Sequence, residues 1–500
     1  MLTIVHVIER FSTGGPERGL IAAAKYAMRL GLKQQHIVCP LEQGSVSPPA
    51  LLSAWRAGII VHRQLDTEAF RRILDAGDIV LVHFWNYPSL YQFLRFDLPP
   101  MRMLLWTAVN GLNPPQIITK KLIDFADRVL VKTPKTLTLS AFCQASASAP
   151  TLLYSPIDLD RLEGFSPVAH NTFNIGYIGT VNFTKMHPNF IRMSAAVRVP
   201  NVRFIVCGTG IEKQLKHQVI ALGASGRFDF RGYVENIRNV LAELDVFGYP
   251  LCEDTYAASE RVLQEAMFVG LPPVVFPYGG LSELVTHGQT GLIVQSEEEY
   301  RHAVEYLYQN PQERQRLGDN ARHHVQQTFD PWTTVKHLSR VFEEMMEFPK
   351  KKRIWQESGT RPAEWFVQAL GDKGSHFAIS LTGKKWPELI AAEQTIAQAS
   401  PVLCNGEGGI IHYRNYYPHD PHLRLWSGLV LERQGDAQKA LEEYTAAIEL
   451  GIAHWRAHWY LARVAETLNQ RTKARSSAQY VVQLAPDFSL PRELLLRIRD

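Results

Sequence analysis

Cysteine is scarce in this chain: five among 500 residues, Cys39, Cys143, Cys207, Cys252 and Cys404, with no CxxC spacing. Such scatter offers no metal cluster and suits a reducing compartment. Long apolar runs are missing too. No stretch reaches eighteen residues, so no membrane span is expected. The opening MLTIVHVIERF holds an apolar run too short for a secretory signal and meets charge at once. Charge of one sign is also lacking: the net +4 argues against a dedicated nucleic-acid binder. These absences predict a cytoplasmic chain.

What is present is ordinary for a globular protein, 46% apolar and 20% charged residues. The length exceeds one core, so two to four domains are expected. The most structured stretch begins at Tyr249: YPLCEDTYAASERVLQEAMFVGLPPVVFPYGGLSELVTHGQTGLIV. Ser259 is a fitting N-cap for a helix through Met267. Gly270 and Pro272 stop that helix, Val274–Phe276 is a short strand, and Gly279-Gly280 opens the next turn. A helix N-terminus offers unpaired N–H groups to a phosphate. Glu265, one and a half turns in, reaches back towards a ribose.

Upstream, the chain alternates strand, glycine turn and helix. Leu2–Ile8 reads as a buried strand, Gly14-Gly15-Pro16-Glu17 as the turn, about 17–30 as a helix and His36–Cys39 as the second strand. This is a βαβ unit of a parallel, doubly wound sheet. Asp78–His83 and Met103–Trp106 are further strands. His83 ends its strand at the carboxyl edge, where parallel sheets collect ligands. A second series starts at Phe173–Gly179 and continues through Val202–Gly208, Phe228–Val234 and Leu244–Tyr249. Helices at 297–307, 311–327 and from Pro331 close it.

The words LQEAMFVGLPPVV, YGGLSELV and HGQTGLIV, in that order, resemble the donor-binding signature of glycosyltransferase family 4. That resemblance implies the GT-B fold, two Rossmann-like domains facing a cleft, and sugar transfer from a nucleotide donor with retained configuration. It implies no required metal and no further cofactor, because cations and a helix dipole stabilise the leaving diphosphate. By the same resemblance, Gly14 and Gly15 match the loop beside donor sugar and acceptor. Lys185 matches a diphosphate lysine, and backbone groups after Gly232, at Tyr233 and Val234, face the base. Ser155-Pro156-Ile157-Asp158 stands at the interdomain hinge.

Three positions depart from the pattern. Thr180 replaces an arginine expected near the diphosphate, and with it a charge-assisted bond. Ala257 replaces the first of two glutamates, with Glu260 nearby but out of register. Ala108 and Asn110 stand where many relatives carry a histidine. The site expected is therefore His83, Lys185 and Glu260 as catalytic candidates. Gly14, Gly15, Thr180, Lys185, Gly208, Gly232, Tyr233, Val234, Ser259, Glu265, Gly279 and Gly280 are expected around the donor, with Arg261 or Arg10 as auxiliary cations and His83, Lys185, Glu265 and both glycine pairs facing one cleft. A carboxylate paired with Arg261 on the helix surface is the plain structural alternative for Glu265.

The Lys350–Arg353 run reads as a solvated linker, with peripheral contact at the inner face of a membrane as its functional alternative. Gly428, Ala440 and Ala447 recur thirty-four residues later as Ala462, Ala474 and Val481. This period resembles tetratricopeptide repeats at about 421–454 and 455–488. Trp455, His458 and Trp459 are candidates for docking a peptide there, or for packing against 354–420. The expected domains are 1–165 on the acceptor side, 166–348 for the nucleotide sugar, a linker at 349–384 and a helical region at 385–500. The partners expected are a nucleotide sugar, an acceptor of unspecified class (glycan, lipid-linked or protein) and a protein on the repeats. A scaffold that has lost turnover is the competing function. A nucleotide-sugar epimerase would share the fold but not the order of the words.

Overall fold

The computed structural model describes residues 1–42, 44–145, 150–356, 359–383, 385–452 and 454–498. They form two compact units. Unit one comprises Met1–Trp85, Ser89–Asn113 and Lys120–Trp355; unit two comprises Asn86–Pro88, Pro114–Thr119 and Gln356–Asp500.

Unit one holds two parallel sheets. The first runs through β1 (Leu2–Ile8), β2 (Gln34–Pro40), β3 (Ile60–Val61), β4 (Ile79–Phe84), β5 (Met103–Thr107), β6 (Arg128–Val131) and β7 (Thr151–Leu152). Its order is β3-β2-β1-β4-β5-β6-β7. The second uses β8 (Phe173–Ile178), β9 (Val202–Cys207), β10 (Phe228–Gly232), β11 (Val246–Gly248), β12 (Pro273–Val275) and β13 (Leu292–Ile293), ordered β10-β9-β8-β11-β12-β13. Both orders reverse beside their first strand, which opens a crevice at the carboxyl ends. Near-continuous burial of β4, β5 and β8 fits sheets covered on both faces.

The helix Pro331–Met345 crosses back to the first sheet. Its Val335, Leu338, Val341, Phe342 and Met345 share a core with Ile4, Leu81, Leu104 and Leu130. The basic run that follows is anchored to the first half, although Lys351 and Lys352 stay exposed. Lys351 pairs its backbone with Met101, and Lys351 and Arg353 both bind the buried Asp127 carboxylate. Lys352 meets Asp97, and Lys350 donates to the Asp75 carbonyl.

Three histidines line up on one face of the first sheet because β2, β1 and β4 are neighbours. His6 shares its Nε2 with His36 Nδ1 at 2.9 Å and its Nδ1 with His83 Nε2 at 3.0 Å. Burial holds all three below the usual imidazole range, His36 at about 4 and His83 at about 3. A depressed pKa leaves native stability intact above the unfolded value near 6.5 and removes it as pH falls towards the folded values. The expected result is a denaturation midpoint that drops between pH 6.5 and 4, each histidine adding about 1.4 kcal/mol per pH unit. Urea titrations across that window check it; His36→Leu flattens the slope, and an equally steep slope in that variant refutes the assignment.

Unit two is helical throughout its described residues beyond 360. Helices at Pro362–Leu370 and Ser375–Thr382 occupy the stretch expected as linker, so the helical region begins well before 385. Helix starts recur thirty-four residues apart, Pro421 with Trp455 and Ala437 with Arg471. Gly428 admits the Tyr444 ring, which a Cβ would approach to 2.4 Å. The second hairpin carries Ala462 and Ala478 at those positions, both fully buried. Buried Glu393 accepts from Arg456, Tyr460 and Ser380, tying the earlier helices to the repeats. Trp459 is buried, and its ring and that of Trp455 pack on Phe488, while His458 meets Tyr480 at 4.2 Å. These ring contacts tie the second hairpin to Phe488 and Tyr480, while Trp455 and His458 stay half-exposed.

Candidate active site

The loops at the carboxyl ends of both sheets enclose a cavity of about 430 Å³. Gly14, Gly15, Thr180, Lys185, Gly208, Tyr233, Val234, Glu260 and Glu265 line it, together with Arg18, Arg161, Tyr249 and Arg261. A second cavity of about 400 Å³ shares Arg18, Arg161, Tyr233, Arg261 and Glu265 with it.

The helix Arg261–Phe268 delivers the acidic groups. Its N-cap is Glu260, not Ser259, whose hydroxyl accepts from Gln264 inside the structure. Glu260 Oε2 accepts from Lys185 Nζ at 2.8 Å and from the Tyr249 hydroxyl at 2.8 Å. Burial pushes the Glu260 carboxyl up, but Lys185, Tyr249 and Arg261 outweigh it and hold it below its ordinary range. Burial likewise pushes Lys185 down, and Glu260 more than restores it. Each group keeps the other charged.

Glu265 does not bond Arg261 at one helical turn. Its Oε1 accepts from Arg161 Nη1 at 2.5 Å, a residue of the segment that joins the two sheets. Arg18 Nη2 donates to the Tyr233 hydroxyl at 3.2 Å, from the first glycine turn to the loop after β10. Joining segment and first helix are stapled further by Lys25 to Asp158 and Asp160, and by Arg29 to Asp160. Arg29 first, and then Lys25, pull the Asp160 carboxyl down to about 2.

Other expected residues stand elsewhere. His83 lies in the histidine row, stacked on Trp106, and lines neither cavity. Its imidazole is buried between His6 and Trp106. Gly279 and Gly280 do not face the cavity but pack on the loop before the helix; Gly280 N donates to Ala257 O at 2.9 Å. A Cβ at Gly280 would come within 2.0 Å of Ala258 O. Gly232, absent from the lining, accepts from Gly208 N at 2.7 Å and so shapes the wall. Arg10 pairs with Glu42 at 3.6 Å, outside the lining. Asn110 is a clamp: its Nδ2 donates to Thr255 O and Ala257 O at 2.8 and 2.9 Å, from the first half to the second.

Sequence reasoning missed Arg18, Arg161 and Lys132. Lys132 directly follows the apolar run of β6, and a charge immediately after a buried parallel strand is a signal that was available. It is 6% exposed, has no hydrogen bond or ion pair among the described residues, and lies 5.0 Å from the centre of the Trp106 ring. Burial, aided by Arg261, brings its ammonium down to about 7.

Among the described residues, no group of three or more His, Cys, Asp or Glu is arranged to hold a metal ion, and no helix is long and apolar enough to cross a membrane. Residues 162–324 match the family profile described as "Glycosyl transferases group 1". A similar curated protein is the D-rhamnosyltransferase WbpZ of Pseudomonas aeruginosa, 23% identical over 297 residues, covering 52% of this chain and 72% of that protein. Another is the 2-deoxystreptamine N-acetyl-D-glucosaminyltransferase of Niallia circulans, 22% identical, covering 43% and 55% respectively. Among solved structures, Anabaena Alr3699/HepE in complex with UDP and glucose has a TM-score of 0.57 at 18% identity, covering 69% of this chain and 100% of that chain. WaaG, a glycosyltransferase involved in lipopolysaccharide biosynthesis, has a TM-score of 0.51 at 13% identity, covering 68% and 99%. At these identities the likeness shows the fold: two Rossmann-like domains in the GT-B arrangement.

Proposed function

From the support that the profile match and the fold give to membership of glycosyl transferases group 1, we propose that this chain transfers a hexosyl-type sugar from a nucleotide donor to an acceptor. The observation that carries the reading is the single cavity in which Gly14, Gly15, Lys185, Tyr233, Glu260 and Glu265 meet. Lys185 serves the diphosphate, Glu265 the ribose hydroxyls, and the loop at Tyr233 and Val234 the base. Glu260 stands beside Lys185 for the sugar hydroxyls, the task of the glutamate absent at Ala257. In this reading side-chain cations and helix N–H groups meet the leaving diphosphate, without a metal ion or other cofactor. We assign no nucleophile, and retention of configuration is part of the proposal.

The relatives named for rhamnosyl and N-acetylglucosaminyl transfer, and the UDP complexes of the fold neighbour, support a nucleotide sugar as donor. The thirty-four-residue recurrence supports a tetratricopeptide-like helical unit that carries a protein partner. Scattered, mostly buried thiols support a cytoplasmic setting.

Release of nucleoside diphosphate from a panel of sugar donors tests the reading. Lys185→Ala and Glu265→Ala are each expected to weaken nucleotide binding by roughly 1–3 kcal/mol, the scale of hydrogen bonds to charged groups. Calorimetry on folded variants checks this. Unchanged affinity in both removes these residues from the donor site, and a chain that neither binds nor consumes any donor is a scaffold instead.

A further inference from the structure

Among the described residues, Arg261 is the cation lining this cavity that makes no hydrogen bond or ion pair. Lys185 is committed to Glu260 and Arg161 to Glu265. Arg18 donates to Thr13 O and to Tyr233. The Arg261 guanidinium makes no hydrogen bond or ion pair among the described residues, although it borders both cavities. It belongs to the second half of unit one yet rests on the first. Its Nη2 lies 3.1 Å from where a Cβ of Gly15 would stand, and its Nη1 lies 2.5 Å from that of Gly19. Only bare glycine faces leave room for it there.

Burial lowers Arg261 to about 10; Glu265, Glu17 and Glu260 oppose the drop, and Arg18 adds to it. An anion brought beside such a group favours its charged form and accepts charge-assisted hydrogen bonds from it. A planar guanidinium is suited to binding two phosphate oxygens at once. Thr180, which lines the same cavity, carries no charge.

We propose that Arg261, seated on Gly15 and Gly19, is the residue that grips the donor's diphosphate in place of the charge Thr180 lacks. The donor is then held across the cleft, by a side chain from one half lying against the glycine turn of the other. This inference rests on the glycosyltransferase reading and deepens it: the ligand is a nucleoside diphosphate, and its shared chemistry is that of pyrophosphate.

The test is isothermal calorimetry with UDP, GDP and inorganic pyrophosphate on the full chain. Wild-type protein is expected to bind a nucleoside diphosphate. Arg261→Gln is expected to lose at least tenfold in affinity, for pyrophosphate as well, and adding Thr180→Arg to that variant is expected to regain most of the loss. If the glutamine variant fails to fold, Arg261→Lys carries the test. It keeps the charge without the fork, and a loss of threefold or more supports the proposal. Wild-type binding that either Arg261→Gln or Arg261→Lys leaves within twofold overturns the inference and leaves the donor reading standing. A wild-type chain that binds none of the three probes overturns both.

Discussion

Gly208→Ala is expected to cost about 3–5 kcal/mol of stability and to close the cavity at the carboxyl ends of the two sheets. Gly208 adopts φ +136°, a region that residues with a side chain rarely enter. A Cβ built there falls 1.8 Å from the Gly179 carbonyl oxygen, and this neighbour is backbone. The strand end cannot retreat, because Gly179 N donates to Cys207 O and Gly208 N to Gly232 O. Relief must therefore come by moving Gly179 and Thr180, both cavity residues, into the cavity. Urea unfolding measures the stability term, and nucleotide titration of whatever folds measures the second. A variant with wild-type midpoint and affinity refutes the account.

Lys132→Met is expected to work in the opposite direction and stabilise the protein by roughly 1–4 kcal/mol at pH 7, the range seen when buried charges yield to apolar residues. The native ammonium, brought down to about 7 by burial and by Arg261, binds its proton far less tightly than the unfolded chain does near 10.5. The sign follows from linkage. As pH falls from 10.5 towards 7 the unfolded state takes up a proton that the native state refuses, so native stability declines across that window. Below 7 both states are protonated and the penalty is complete. Methionine has similar reach, carries no charge and preserves the contact with Trp106. Denaturation midpoints at pH 7 and pH 10 check the claim: the gap between variant and wild type narrows at the higher pH. A destabilised variant at pH 7 would show that the ammonium has a partner that strengthens the native state.

Much of this architecture is legible in the chain. Strand, glycine turn and helix follow one another at spacings set by local backbone preference, so β1, β4, β5, β8 and β9 lie within a residue or two of where the sequence puts them. The words around Leu263 and Gly279 place the helix and strand of the second half for the same reason. The thirty-four-residue recurrence predicts both helical hairpins, because small residues must return wherever two helices touch.

Partners are not legible, because a side chain's partner comes from a segment distant in sequence. Glu265 sits one turn from Arg261 but bonds Arg161, 104 residues away. His83 lies one residue before the end of its strand, which closes at Phe84, and the parallel order of β2, β1 and β4 sets it beside His6 and buries it. The Lys350–Arg353 run has the composition of a solvated linker, and only the returning helix brings it to Asp97 and Asp127. Asn110 looks like a lost histidine and is a clamp on the carbonyls of Thr255 and Ala257. The chain's own order of residues thus determined the two sheets, the glycine turns and the helical repeat, all products of local geometry. Only the tertiary structure decided which charges are neutralised and which, like Arg261, are left facing a cavity, because that depends on how the two sheets bring their carboxyl edges together.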